Sequence, residues 1–228
     1  MEAGLIVHSK SVTLKKHYTA GSQMWFSKEN FLDRHLRGYG CGVVALHDLS
    51  VYKGCAGTSK TRDDYREHIR KTEKAGIFVF PYLGIAPYYY SLMCNLYLMR
   101  KHMPFRIGWG HTASAELRCH AYHIKECLKN DMPVIFAAGP TIPFLFKKKK
   151  VTLYARDRKT PETWTKGHYM TVVGVEEDGD EIWLDIVSWG RKYSVKLKDL
   201  AEHSGYSFPL TTRFYRPYMK KDPKVSKV

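Results

Sequence analysis

The sequence predicts an α+β fold in which helices come first and an antiparallel sheet follows. Three observations carry this reading. Apolar residues recur at mostly helical spacing from position 29 to about 130, residues 131–133 interrupt that pattern, and short Val- and Thr-rich runs punctuated by turn residues follow. Helical and strand runs are segregated and do not alternate, which argues for α+β over α/β. A length of 228 residues suits one large domain, read as a helical part over about 22–130, a sheet part over about 131–218 and a basic tail over 219–228.

In the helical part Val43, Val44, Leu46 and Leu49 form one apolar face, and Ala115, Leu117, Cys119, Ile124 and Leu128 recur over a second segment. Val134-Ile135-Phe136-Ala137 is an apolar run of strand length, followed by Gly139-Pro140 and Pro143 as turn signals. Positions 169–176 alternate and are rich in Thr and Val, Asp178-Gly179 is a hairpin signal, and positions 181–189 return as a second β run. Positions 193–197 continue the alternation, positions 210–215 are expected to close the sheet, and the Lys-rich end from 220 to 228 is expected to fray.

Composition excludes several classes. With 44% hydrophobic and 14% aromatic residues the chain is not disordered, and no internal repeat indicates a solenoid. No run approaches the ~18 apolar residues that a membrane span requires. The N-terminal run Leu5-Ile6-Val7 is too short for a signal peptide, so secretion by that route is not expected. Cys41, Cys55, Cys94, Cys119 and Cys127 are odd in number and form no C-x-x-C pair, which fits a reducing cytoplasm better than a disulfide framework. The net charge of +15 is large enough to attract polyanions or an acidic partner.

One segment has the residue types of a nucleophile site. In Gly38-Tyr39-Gly40-Cys41-Gly42, glycines flank a lone Cys that opens an apolar helical run. Glycines let a substrate approach the backbone, and a helix N-terminus offers free N–H groups that favour a thiolate and can hold an oxyanion. The same turn equally suits a small buried thiol. Gly167-His168 opens a Val-rich strand and places an imidazole at its mouth, where a general base can sit. Across the hairpin, Asp185 is the acid able to orient that ring. If Asp178-Gly179 is the two-residue turn, paired positions sum to 357, so Asp185 faces Val172 and shares a sheet face with His168. That register leaves the pair too far apart to bond and puts Val187 diagonally beside His168; a longer or bulged loop through positions 176–180 would close the gap.

These segments, with Met132-Pro133-Val134-Ile135 after a helix ending in Lys129, resemble papain-like cysteine peptidases from about Gln23 to Leu200. The likeness is nearest to the bacterial peptidase domains that cleave double-glycine leader peptides, and to their stand-alone relatives. It implies a helical lobe packed on an antiparallel sheet lobe with the active-site cleft between them. Cys41 matches the family nucleophile, His168 its base and Asp185 its third member, with Ile186 where the leader-peptidase branch has Pro. The family places an oxyanion-donating Gln six residues before the nucleophile, and His35 stands there instead. Ser188-Trp189-Gly190 is similar to the Asn-Ser-Trp-Gly of plant papain-type enzymes, with Val187 at the Asn position.

Other signals are weaker. His120 and His123, with His111 earlier, lack an acidic or Cys partner at metal-binding spacing, so no metal is expected. The run Lys147 to Lys150 and the cluster Tyr88-Tyr89-Tyr90 accompany no nucleic-acid module. The pairs Gly38-x-Gly40 and Gly108-x-Gly110 lack the strand-first context of a dinucleotide site, so no cofactor is expected. The expectation is a cysteine peptidase-like hydrolase acting on a peptide or protein through Cys41, His168 and Asp185, with His35 at the oxyanion. The alternatives are an amidase or acyltransferase on the same scaffold, an inactive scaffold that binds, and a basic nucleic-acid-binding module.

Overall fold

The computed structural model describes residues 11–80, 84–85, 87–110, 117–138, 150–204 and 214–219. The turn signals at 139–143, the lysines 147–149, His111, Ala115, positions 210–213 and the end from 220 lie outside these residues. Strand β1 (Val12–Thr13) and a single 3-10 turn (Gln23–Trp25) precede four helices: α1 (Phe31–Tyr39), α2 (Cys41–Tyr52), α3 (Arg62–Lys74) and α4 (Pro87–Arg100). Strand β2 (Phe105–Gly110) and helix α5 (Leu117–Lys129) lead to β3 (Val134–Ala138), β4 (Val151–Tyr154), β5 (Pro161–Thr165), β6 (His168–Asp178), β7 (Glu181–Ser188) and β8 (Arg191–Lys196). Helix α6 (Leu197–Ser204) and strand β9 (Phe214–Met219) complete the described fold.

The strands join in one antiparallel sheet, ordered β2-β9-β3-β6-β7-β8-β4-β5, with β1 added against β6. The class is therefore α+β, as the segregated pattern predicts. The division near residue 130 is less sharp than expected, because β1 and β2 enter the sheet from the N-terminal half and α6 follows β8.

Burial explains the strand sequences. In β3 all five residues are buried, Ile135 and Ala137 joining a core with Leu36, Leu46, Leu49, Ile69, Tyr90 and Leu98 of α1–α4. Val134, Phe136 and Ala138 join a second core with Ile124 and Leu128 of α5 and Leu197 and Leu200 of α6. A strand buried on both faces reads as an unbroken apolar run, which is what Val134-Ile135-Phe136-Ala137 is. Helix α2 is buried from Gly42 through Ser50, so it is apolar nearly all round and packs among α1, α3 and β6.

The β6–β7 hairpin differs from the expected register in two ways. Gly179 and Asp180 form the turn and Asp178 pairs with Glu181. Farther along, Gly174 pairs with Asp185 but Val172 pairs with Ile186, so Val173 is an extra, bulged residue in β6.

The segment before the 3-10 turn is held by a close approach. A Cβ on Gly21 would lie 1.9 Å from the Tyr65 ring. That ring cannot swing away freely, because the Tyr65 hydroxyl donates to Asp48 at 2.8 Å and Asp48 also accepts the Gly21 N–H at 2.9 Å. Gly21→Ala is expected to lower stability by about 1–3 kcal/mol in denaturant unfolding, with partial recovery when Tyr65→Leu is added.

Candidate active site

Cys41 is the first residue of α2, one residue after α1 ends. Its side chain is half-buried, and its sulfur accepts the backbone N–H groups of Tyr169 and Gly42. Burial pushes the thiol above its ordinary value, and these N–H groups together with that of Cys41 offset only part of the rise. The thiol is therefore neutral at rest despite its place at a helix N-terminus.

His168 is the first residue of β6 and is buried. Its Nε2 and the Ser188 hydroxyl share a hydrogen bond of 2.5 Å. The Trp189 indole stacks on the imidazole with centroids 4.3 Å apart and planes 20° from parallel. Trp189 and Gly190 form the two-residue β7–β8 turn, both with positive φ, at 49° and 74°. A non-glycine residue in that region costs about 1 kcal/mol, and here the turn holds the indole over His168. Burial lowers the imidazole to about 3, so the ring is also neutral.

Cys41, His168, Ser188 and Trp189 line one cavity together with Gln23. The cavity leaves about 10 Å³ for a water centre, room for roughly one water. Gln23 opens the 3-10 turn, which Ser22 caps by accepting the Met24 N–H at 3.1 Å. Its Nε2 donates to the Arg37 carbonyl at 3.0 Å, while its Oε1 is buried without a described partner. The Arg37 guanidinium in turn donates to the carbonyls of Met24 and Phe26, which ties the turn to the end of α1. An amide N–H beside a thiol and a helix N-terminus is suited to an oxyanion. Family spacing directs attention to position 35, so Gln23, eighteen residues ahead of Cys41, was not singled out.

Two sequence-derived assignments are corrected. Asp185 does not reach His168: it pairs with Gly174, accepts the Ser194 hydroxyl at 3.1 Å and lies 3.8 Å from Arg158. Two things separate them: the hairpin register sets Asp185 opposite Gly174, six residues along β6 from His168, and the extra residue at Val173 turns it to the other face. With Thr171 opposite Val187 and Gly174 opposite Asp185, residues 169 and 171 share the face of Asp185 while 168 and 170 share the face of Ser188. His35 does not line the cavity either. Helix α1 carries it toward α3, where its Nε2 lies 3.8 Å from Glu73. Among the described residues, no group of three or more His, Cys, Asp or Glu is arranged to hold a metal ion.

Asp48 lies about two turns along α2 from Cys41, lines the same cavity and is buried. Burial raises its carboxyl from 3.8 to about 7, against the lowering effect of the Tyr65 and Gly21 hydrogen bonds. It holds the Gly21 end of the segment that delivers Gln23.

Comparison of the chain with protein-family models, curated proteins and solved structures finds no match.

Two tests follow from these charges. A carboxylate beside the imidazole favours its cation, so Ser188→Asp is expected to move the onset of Cys41 alkylation by iodoacetamide to lower pH, read by peptide mass spectrometry. Asp185→Asn is expected to leave that profile unchanged. For Asp48, a folded pKa raised above the unfolded one means that its contribution to stability is fully present below about 3.8 and is lost as pH rises through about 7. His168 acts oppositely, its contribution being present above 6.5 and lost as pH falls toward about 3. Urea midpoints between pH 4 and 7 are therefore expected to fall more, or rise less, with increasing pH in wild type than in Asp48→Asn, and the two curves are expected to run parallel above about pH 8.

Proposed function

We propose that the chain is a cysteine hydrolase of papain-like type that cleaves an amide bond through a thioester. The observation that carries this is the convergence of Cys41, His168 and Gln23 on one cavity, with Ser188 and Trp189 fixing the imidazole. In this reading the helices before β2 supply the nucleophile and the sheet supplies the base. The Cys41 proton passes to His168 as the sulfur bonds to the carbonyl carbon, and the Gln23 amide and the Cys41 N–H hold the oxyanion. His168 then protonates the departing amine as the C–N bond breaks, leaving an acyl-thioester. Water, deprotonated by His168, attacks that carbonyl; the C–S bond breaks, the acid leaves and the thiol is restored.

Ser188 replaces the third member. With the proton on Nε2, the ring donates to the Ser188 hydroxyl and Nδ1 is left as the proton acceptor, but the hydroxyl brings no charge to stabilise an imidazolium. Both partners start neutral, and ionisation is coupled to substrate contact.

A second reading, a binding protein that keeps this scaffold, is favoured by the small cavity. A panel of peptidyl vinyl sulfones with varied side chains separates the two. Covalent labelling of Cys41 in wild type, falling at least about a hundredfold in His168→Ala, is the expected result. No labelling of Cys41 by any member, with Cys55, Cys119 and Cys127 reacting at their ordinary rates, favours the binding protein.

A further inference from the structure

Beside the cavity runs a groove that the chemistry above does not use. It consists of two concavities of about 520 and 580 Å³ that share His17, Tyr18, Arg156 and Lys192. The second meets the wall of the Cys41 cavity, since Ala20 and Val187 line both. The groove is built from the segment after β1, the β4–β5 loop and the β7–β8 hairpin.

Its charge is one-sided. Among the described residues, Lys15, Lys16, Arg156, Arg158, Arg191 and Lys192 line it, against only Asp185 and Glu162. Arg158 is neutralised by Glu176 at 2.8 Å and Asp185 at 3.8 Å. None of the other five cations is ion-paired to a described acid, and four of them, Lys15, Lys16, Arg156 and Arg191, are exposed. Converging like charges raise the energy of the empty groove, and an anionic ligand relieves that repulsion.

We propose that this groove binds the acidic segment of a peptide or protein substrate whose scissile bond enters the Cys41 cavity. The inference rests on the hydrolase reading for the position of the scissile bond, but not for the binding itself. A polypeptide is favoured over nucleic acid on two grounds. The groove shares the wall formed by Ala20 and Val187 with a thiol cavity suited to an acyl carbonyl, which a nucleic-acid backbone lacks. Its two tyrosines, Tyr18 and Tyr193, are buried, which leaves His17 as the one exposed aromatic ring among the described residues of the groove, fewer than a run of stacked bases uses. Carboxylates a few residues from the scissile bond would meet Arg156, Arg191 and Lys192 in one extended stretch of chain.

The test uses the full chain carrying Cys41→Ser, so that binding is read without turnover. Three fluorescein-labelled probes are compared by anisotropy at low and high salt: a twelve-residue peptide with four Glu, the same peptide with four Gln, and a single-stranded oligodeoxynucleotide of equal net charge. The Glu peptide is expected to bind at least about tenfold more tightly than the Gln peptide, with the difference shrinking as salt rises. Arg156→Gln with Lys192→Gln is expected to remove most of that difference, about tenfold, while circular dichroism stays unchanged. Equal affinity for the two peptides, tighter binding of the oligonucleotide, or undiminished preference in the double variant overturns the proposal. Failure of vinyl sulfone labelling with the Glu preference intact would remove the hydrolase reading and leave the groove.

Discussion

The side of the sheet on which His168 emerges is set by one extra residue in β6. Side chains alternate along a strand, so an unbulged β6 paired with β7 through Gly174 and Asp185 would put His168 on the Asp185 face. Val173 shifts the count by one, and His168 instead shares a face with Ser188 and Ile186. The same shift sends the Tyr169 side chain to the helical side, where its hydroxyl donates to the Ile85 carbonyl at 2.8 Å. One insertion thus sets both the partner of the imidazole and the side on which the Tyr169 ring packs.

Burial then sets the electrostatics. A helix N-terminus favours a thiolate by a modest amount, typically under 1 kcal/mol at an exposed site, whereas desolvation of a buried ion costs several kcal/mol. The larger effect wins at Cys41 and again at His168, whose described hydrogen-bond partner is a neutral hydroxyl. Asp48 obeys the same rule from the other side: two good donors do not keep its carboxyl in the ordinary range. Burial thus pushes all three ionisable groups of the cavity toward their neutral forms: the thiol and the imidazole are neutral near pH 7, and the Asp48 carboxyl at about 7 is the group that titrates there.

What was legible in the sequence follows from range. The segregation of helices and strands, the strand from Val134, and the placement of Cys41 at a helix start and His168 at a strand start are local patterns, and they are present in the fold. Position 35 was a poor guide because an entire helix, α1, intervenes just before Cys41 and turns His35 toward Glu73. Gln23 reaches the cavity through a tertiary fold-back, tied by Arg37 and by the Gly21–Asp48 hydrogen bond, and no local spacing encodes that. A bulge is likewise invisible to periodicity, since Val173 is as good a strand residue as its neighbours, and it is the bulge that brings Ser188 to the His168 face while the shifted turn leaves Asp185 opposite Gly174. The motif Ser188-Trp189-Gly190 held the better clue, because a Trp-Gly turn at a strand end places a hydroxyl and an indole where a ring can meet them.

The β7–β8 hairpin carries both the support of the imidazole and much of the cationic groove. Ser188 and Trp189 face His168, while Arg191 and Lys192, the next residues after the turn, line the groove. Ser188 pairs with Arg191 across the hairpin, so displacement of one is transmitted to the other through two strand backbones and a two-residue turn. Trp189 holds a positive φ in that turn, which leaves the turn with less freedom to absorb such a displacement than a Gly-Gly turn would have. The proposed anionic ligand of Arg191 and Lys192 would therefore meet the same hairpin that holds the His168 imidazole. The cations of the groove and the support of the His168 imidazole are thus joined within one hairpin, with no separate element between them.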